Sequence, residues 1–134
     1  MESWGPGNFE NEQALDWITN LQNHKDLTPI HTTFSIIAKG VHSEAHDCAN
    51  ALVAIEVIAA LRGMPSKHLP DELDNWISSN DLSLDDDLTT TAKHILNKIS
   101  RSSELRDIWE TSGNLDKWEK SLDDLLGMAQ VSFT

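Results

Sequence analysis

Hydrophobic residues recur at helical spacing along most of this chain. In residues 10–22, Ala14, Trp17, Ile18 and Leu21 fall on one stripe, which predicts a helix that packs by one face. The same three-to-four-residue spacing, interrupted by Gly, Pro and Ser positions, predicts further helices. These cover residues 28–40, 44–62, 70–77, 84–99, 104–109 and 115–125. No strand-like alternation of useful length competes with them.

The third predicted helix differs from the others because its second half is apolar on nearly every side. A helix of this kind must be covered on every side, so Ala51 to Leu61 predicts the centre of the fold. The chain has no repeat of fixed period and no linker long enough to separate one domain from another. We therefore predict an all-α fold, a single domain over residues 1–134, in which six or seven helices form a bundle around a central apolar helix.

Side chains suited to capping precede several of these helices. Asn8 or Asn11 can cap the first, and Ser103 can cap the segment that begins at Glu104. Ser83, with Asp86 three residues later, resembles a capping box. These residues predict where the helices start.

Charge and composition exclude several classes of protein. The chain has 10 basic and 22 acidic residues, a net charge of -12, and its Lys and Arg are scattered singly, so we expect no nucleic-acid binding. Glu56 interrupts the longest apolar run, which is far shorter than the roughly 20 residues of a membrane span. The single Cys48 forms no internal disulfide and no apolar leader precedes Trp4, which favours the cytoplasm.

The N-terminal segment carries the motif Trp4-Gly5-x-Gly7-x-Phe9-Glu10-Asn11-Glu12. This motif resembles the opening of a bacterial domain-of-unknown-function family, family 4259. The resemblance continues through residues 44–63 and 103–110, with Trp118 beyond them. It implies a small bacterial protein, and it supplies no substrate, cofactor or catalytic residue.

Acidic residues cluster at the starts of the fourth and fifth predicted helices. A carboxylate in the first turn of a helix is favoured by up to about 1 kcal/mol, but the group from Asp81 to Asp87 exceeds what capping needs. We predict a contact surface for a basic protein, formed by Asp71, Asp74, Asp81, Asp85, Asp86 and Asp87.

This surface leads to a functional hypothesis, a non-enzymatic cytoplasmic binding protein that needs no cofactor. Its most concrete form is an immunity-type inhibitor that covers the basic cleft of a toxin with acidic side chains. In a second interpretation, the chain is a structural or regulatory module whose acidity serves solubility alone.

Glu56 lies among apolar neighbours, where an isolated carboxylate costs several kcal/mol. We expect a buried structural partner for it, either Arg106 or the indole N–H of Trp4 or Trp109. The functional alternative is a general acid or base with a raised pKa, but sequence spacing places no second titratable group beside it.

A metal-dependent phosphohydrolase of the HD type is the enzymatic alternative. Such enzymes are also all-helical and ligate metal with a His, a His-Asp pair and a distant Asp. His46-Asp47 supplies the pair and His31 an upstream ligand, while Asp71, Asp74 or Asp81 supplies the downstream one. The surrounding residues do not otherwise resemble that family, so the leading hypothesis assigns no metal.

Overall fold

Seven α-helices account for most of the residues that the structure describes. The computed structural model describes residues 7–9, 11–82 and 84–130. The helices are α1 (Glu12–Leu21), α2 (Thr28–Lys39), α3 (Ala45–Leu61), α4 (Asp71–Ser79), α5 (Asp86–Arg101), α6 (Glu104–Ser112) and α7 (Leu115–Gln130). These residues contain no strand, only an isolated bridge between Ser43 and Ser103. The all-α prediction is confirmed.

Helix α3 is the centre of the bundle, as its apolar sequence predicts. Every residue from Ala51 to Ala59 is buried. The helix packs against α1, α2, α5, α6 and α7, which together cover most of its circumference. Nowhere in the described ranges is a helix long and apolar enough to cross a membrane.

Local capping determines where several helices begin. The side chain of Asn11 accepts a hydrogen bond from the Ala14 N–H at 2.8 Å, and Ser103 caps α6, as predicted. The start of α5 differs from the prediction. Its N-cap is Asp85, whose carboxylate accepts from the Leu88 N–H at 2.6 Å, whereas Ser83 lies outside the described residues.

A lysine from α5 closes the end of α2. The Lys98 ammonium donates hydrogen bonds to the carbonyls of Ile37 and Ala38, at 2.7 and 3.2 Å, and to that of Gly40. The last carbonyls of a helix have no intrahelical donor, so this contact satisfies them and joins α5 to α2.

The start of α3 is capped from another helix. The Glu104 carboxylate accepts a hydrogen bond from the Ala45 N–H at 3.0 Å, and the Glu104 N–H donates to the Ser43 carbonyl at 2.9 Å. The adjacent Glu44 side chain makes no capping bond. This exchange fixes the N-terminus of the central helix against α6.

Candidate functional site

A cleft of about 870 Å³ opens beside the middle of α3. Three parts of the chain surround it: the segment 7–9, the connection between α3 and α4, and one face of α7. That face carries Lys117, Lys120, Ser121, Asp124 and Leu125. Its apolar lining includes Phe9, Pro65 and Leu125. A cleft of this size lies within the range of small-molecule sites, roughly 300–1,000 Å³.

Glu56 is part of the lining of this cleft, although its side chain is almost entirely buried. The residue is only 4 % exposed, and its chain neighbours Ile55 and Val57 are completely buried. Burial disfavours the charged form and raises the pKa of Glu56 from 4.5 to about 7. No hydrogen bond or ion pair from another described residue offsets this effect.

Asn8 brings a second buried polar group to the same cleft. It is 8 % exposed, and its side-chain Oδ1 atom is buried with no hydrogen-bond partner in the described part of the chain. Buried polar atoms without a partner are uncommon in folded proteins. The unpartnered Asn8 Oδ1 and the largely buried Glu56 therefore line one cavity.

Three lysines and a histidine surround these buried groups. Lys67 and His68 come from the connection after α3, and Lys117 and Lys120 lie three residues apart on one face of α7. Asp124 lies one turn beyond Lys120. The ammonium groups make no ion pair with a described carboxylate. The cleft is therefore locally cationic in a chain whose net charge is -12.

The structure does not pair Glu56 with the partners that the sequence predicted. Arg106 does not reach it, because the guanidinium donates to the Glu119 carboxylate at 3.0 Å and to the Ser100 carbonyl at 3.1 Å. Trp109 makes no bond to it in the described structure, and Trp4 lies outside the described residues. Glu56 is buried as expected, but the structural tie to Arg106 is absent.

The titratable groups that line the cleft with Glu56 were not predicted from the sequence. His68 and the lysines come from a connection and from α7, which no local spacing relates to α3. One sequence pattern does point to the charged residues of α7. Lys117, Lys120 and Asp124 follow a three-and-four spacing on one helix face, and that pattern indicates a charged stripe.

The six predicted partner-binding aspartates all lie on the surface. Asp71 and Asp74 belong to the first turn of α4, Asp81 to the connection after α4, and Asp86 and Asp87 to the first turn of α5. The sixth is the N-cap residue of α5 described above. None forms an ion pair with a cation of the described structure.

A family model described as a domain of unknown function, DUF4259, matches residues 2–121. The chain belongs to this family. Comparison with curated proteins found no match, and comparison with solved structures found none. The family description names no activity, so the functional argument for this DUF4259 domain depends on its own residues.

The metal constellation predicted for the hydrolase alternative is not assembled. His31 lies exposed on α2, whereas His46 and Asp47 occupy the first turn of α3. Throughout ranges 7–9, 11–82 and 84–130, no three His, Cys, Asp or Glu residues are grouped so that they could hold a metal ion. The ligand set that the hydrolase alternative calls for is therefore not grouped within the described residues.

His42 forms a contact that resembles a catalytic relay. Its Nε2 lies 2.9 Å from the Asp107 carboxylate, and its Nδ1 lies 3.3 Å from the Ser102 hydroxyl. The three residues are exposed and none of them lines the cleft. They flank the backbone bond between Ser43 and Glu104, so we interpret this contact of the DUF4259 domain as a clamp between the starts of α3 and α6.

Proposed function

We propose that this DUF4259 domain is a non-enzymatic binding protein of the bacterial cytoplasm that takes a basic protein partner. Its most concrete form is an immunity-type inhibitor that covers the basic cleft of a toxin. One observation supports the proposal. The aspartates before and within the first turns of α4 and α5 are exposed and have no cationic partner in the described structure.

Few of the charged side chains in the described structure are shown in ion pairs with one another. The chain holds 22 acidic residues, yet the ion pairs of the described structure are only His42 with Asp107 and Arg106 with Glu119. Unpaired like charges repel one another, and a basic surface docked against them relieves that repulsion. Such complementarity also accelerates association and makes it sensitive to salt.

The aspartates do not all serve the same purpose. Asp85 caps α5, so its replacement perturbs the helix as well as the surface. Asp81, Asp86 and Asp87 make no side-chain hydrogen bond to the described chain, and α5 retains its cap without them. Replacement of these three residues therefore leaves the cap of α5 intact, and the expected loss of stability is limited to the favourable first-turn charges of Asp86 and Asp87.

The experiment is affinity purification of the tagged protein from its native host at low and high salt, with mass spectrometry of the retained proteins. We expect a stoichiometric basic protein at low salt that is lost at high salt. The triple variant Asp81→Asn, Asp86→Asn, Asp87→Asn should retain much less of it, because three of the six carboxylates of the acidic surface are neutralised.

A matched control removes three exposed carboxylates elsewhere, with Asp16→Asn, Glu110→Gln and Asp123→Asn. This variant has the same net charge as the first and should retain the partner. Equal loss from both variants would attribute binding to net charge rather than to this surface. The absence of any basic protein at low salt would contradict the proposal.

A further inference from the structure

We propose that the cleft beside α3 binds a small organic anion that also carries a hydroxyl or ammonium group. This site uses Glu56, Asn8 and the lysines around them, and none of the aspartates assigned to the partner surface. The two proposals can therefore fail independently.

The buried groups of the cleft favour a ligand that donates hydrogen bonds. Glu56 and Asn8 are both more than nine-tenths buried, both line the cavity, and both present oxygen atoms that no described residue satisfies. A buried acceptor without a partner costs roughly 1–3 kcal/mol. A ligand hydroxyl or ammonium group placed between them recovers that cost.

The outer part of the cleft calls for an anion. Lys67, Lys117 and Lys120 approach it from two different elements, and none is neutralised by a described carboxylate. Asp124 is the one exposed carboxylate in the lining. Three ammonium groups against one carboxylate favour a ligand carboxylate or phosphate at this position.

The size and overall charge limit the ligand to a small molecule. A volume of about 870 Å³ holds a metabolite-sized compound, and the apolar side chains of Phe9 and Leu125 can contact its carbon skeleton. A polyanion would be repelled by the net charge of -12 that the whole molecule carries. A small anion responds mainly to the nearest charges, because screening limits longer interactions to about 8 Å at physiological salt.

The test is an NMR titration of the full chain with γ-aminobutyrate, which carries a carboxylate and an ammonium group. We expect saturable amide shifts confined to residues 7–9, 65–68 and 117–125. Butyrate, which lacks the donor, and butylamine, which lacks the anion, should each bind more weakly. Shifts that do not saturate, or that scatter over the surface, would overturn the proposal.

Two variants make the test specific to the lysines. Lys117→Gln with Lys120→Gln should weaken γ-aminobutyrate binding roughly tenfold, since two charge contacts are lost. Lys25→Gln with Lys39→Gln removes the same charge from exposed positions outside the cleft and should leave binding unchanged. Equal weakening by both pairs would show a general charge effect and no site. None of the four lysines is buried, so both variants should fold.

Discussion

Replacement of Glu56 by Gln should make the protein more stable at alkaline pH and leave it nearly unchanged at acidic pH. Gln has almost the same shape as a protonated Glu and carries no charge at any pH. Because Glu56 is 4 % exposed and has no described partner, the main difference between the two side chains is the cost of a buried negative charge.

The pKa values determine the magnitude and the pH range. A glutamate that titrates at 4.5 when unfolded and at about 7 when folded binds more protons in the folded state between those values. Stability is therefore complete below pH 4.5 and falls as the pH rises through about 7. One pKa unit corresponds to about 1.4 kcal/mol, so the wild type loses on the order of 3 kcal/mol that the Gln variant retains.

Urea unfolding, followed by tryptophan fluorescence at constant ionic strength, measures this difference. Trp17 and Trp118 are buried and should shift their emission when the chain unfolds. The stability of the Glu56→Gln variant relative to wild type should rise from near zero at about pH 4 to on the order of 3 kcal/mol at about pH 8. Comparison of the two proteins cancels the pH dependence that they share.

Glu110→Gln is the control, because it removes an exposed carboxylate from α6. The stability change of Glu110→Gln measures the effect of one lost surface charge. This change is subtracted from the stability change of Glu56→Gln. A stability difference for Glu56→Gln that does not change with pH would refute the assignment of a raised pKa. A difference of opposite sign would mean that the folded protein stabilises the Glu56 carboxylate.

Three further replacements or reactions test contacts of the fold. Lys98→Met should lower the free energy of unfolding by roughly 1.5–3 kcal/mol, because it leaves the carbonyls at the end of α2 without a charged donor. Lys93→Met, on the same helix, is the control and should change the free energy of unfolding only slightly. Chemical denaturation of both variants measures the difference, and equal losses would contradict the capping role. Cys48 is buried, and that burial raises the pKa of its thiol to about 11. A thiol reagent at about pH 8 should therefore react with Cys48 only after the protein unfolds. Rapid reaction with the folded protein would contradict this prediction. Asp85→Ala should cost about 1 kcal/mol, since the Leu88 N–H loses its acceptor, and an unchanged thermal midpoint would count against the cap.

Features that depend on neighbours in the sequence could be predicted. Asn11 and Ser103 cap their helices because an N-cap side chain bonds to a backbone N–H three residues later. The burial of Ala51 to Ala59 follows from an apolar run that has no polar face. The start of α5 was harder, because Ser83 and Asp85 are both good capping residues and the sequence does not rank them.

Features that depend on distant residues could not be predicted. Lys98 reaches Ile37 across 61 positions, and Glu104 caps Ala45 across 59. The cleft is a further case. Hydropathy predicts that Glu56 is buried, but the lysines near it come from elements whose packing no periodicity specifies. The partner chosen for Glu56 from sequence, Arg106, binds Glu119 instead, a residue 13 positions away.

Folding alone does not explain a glutamate at position 56. An apolar side chain there would bury more hydrophobic surface and avoid an ionisation cost on the order of 3 kcal/mol. Residues that break a local rule without a structural gain are expected at functional sites. Glu56 breaks the apolar pattern of α3 where the helix lines the cleft, so ligand binding gives the glutamate a role that packing does not.

If a ligand ammonium group binds Glu56, it must favour the ionised carboxylate and lower the pKa of that residue. Ligand binding to the folded state also adds stability according to the ligand concentration and affinity. The stability gap between Glu56→Gln and wild type at about pH 8 should therefore narrow when γ-aminobutyrate is present. Butyrate, which offers no donor to the carboxylate, should leave the gap unchanged. A gap that γ-aminobutyrate leaves unchanged while it stabilises both proteins would show that the lysines alone bind the anion and that Glu56 takes no part.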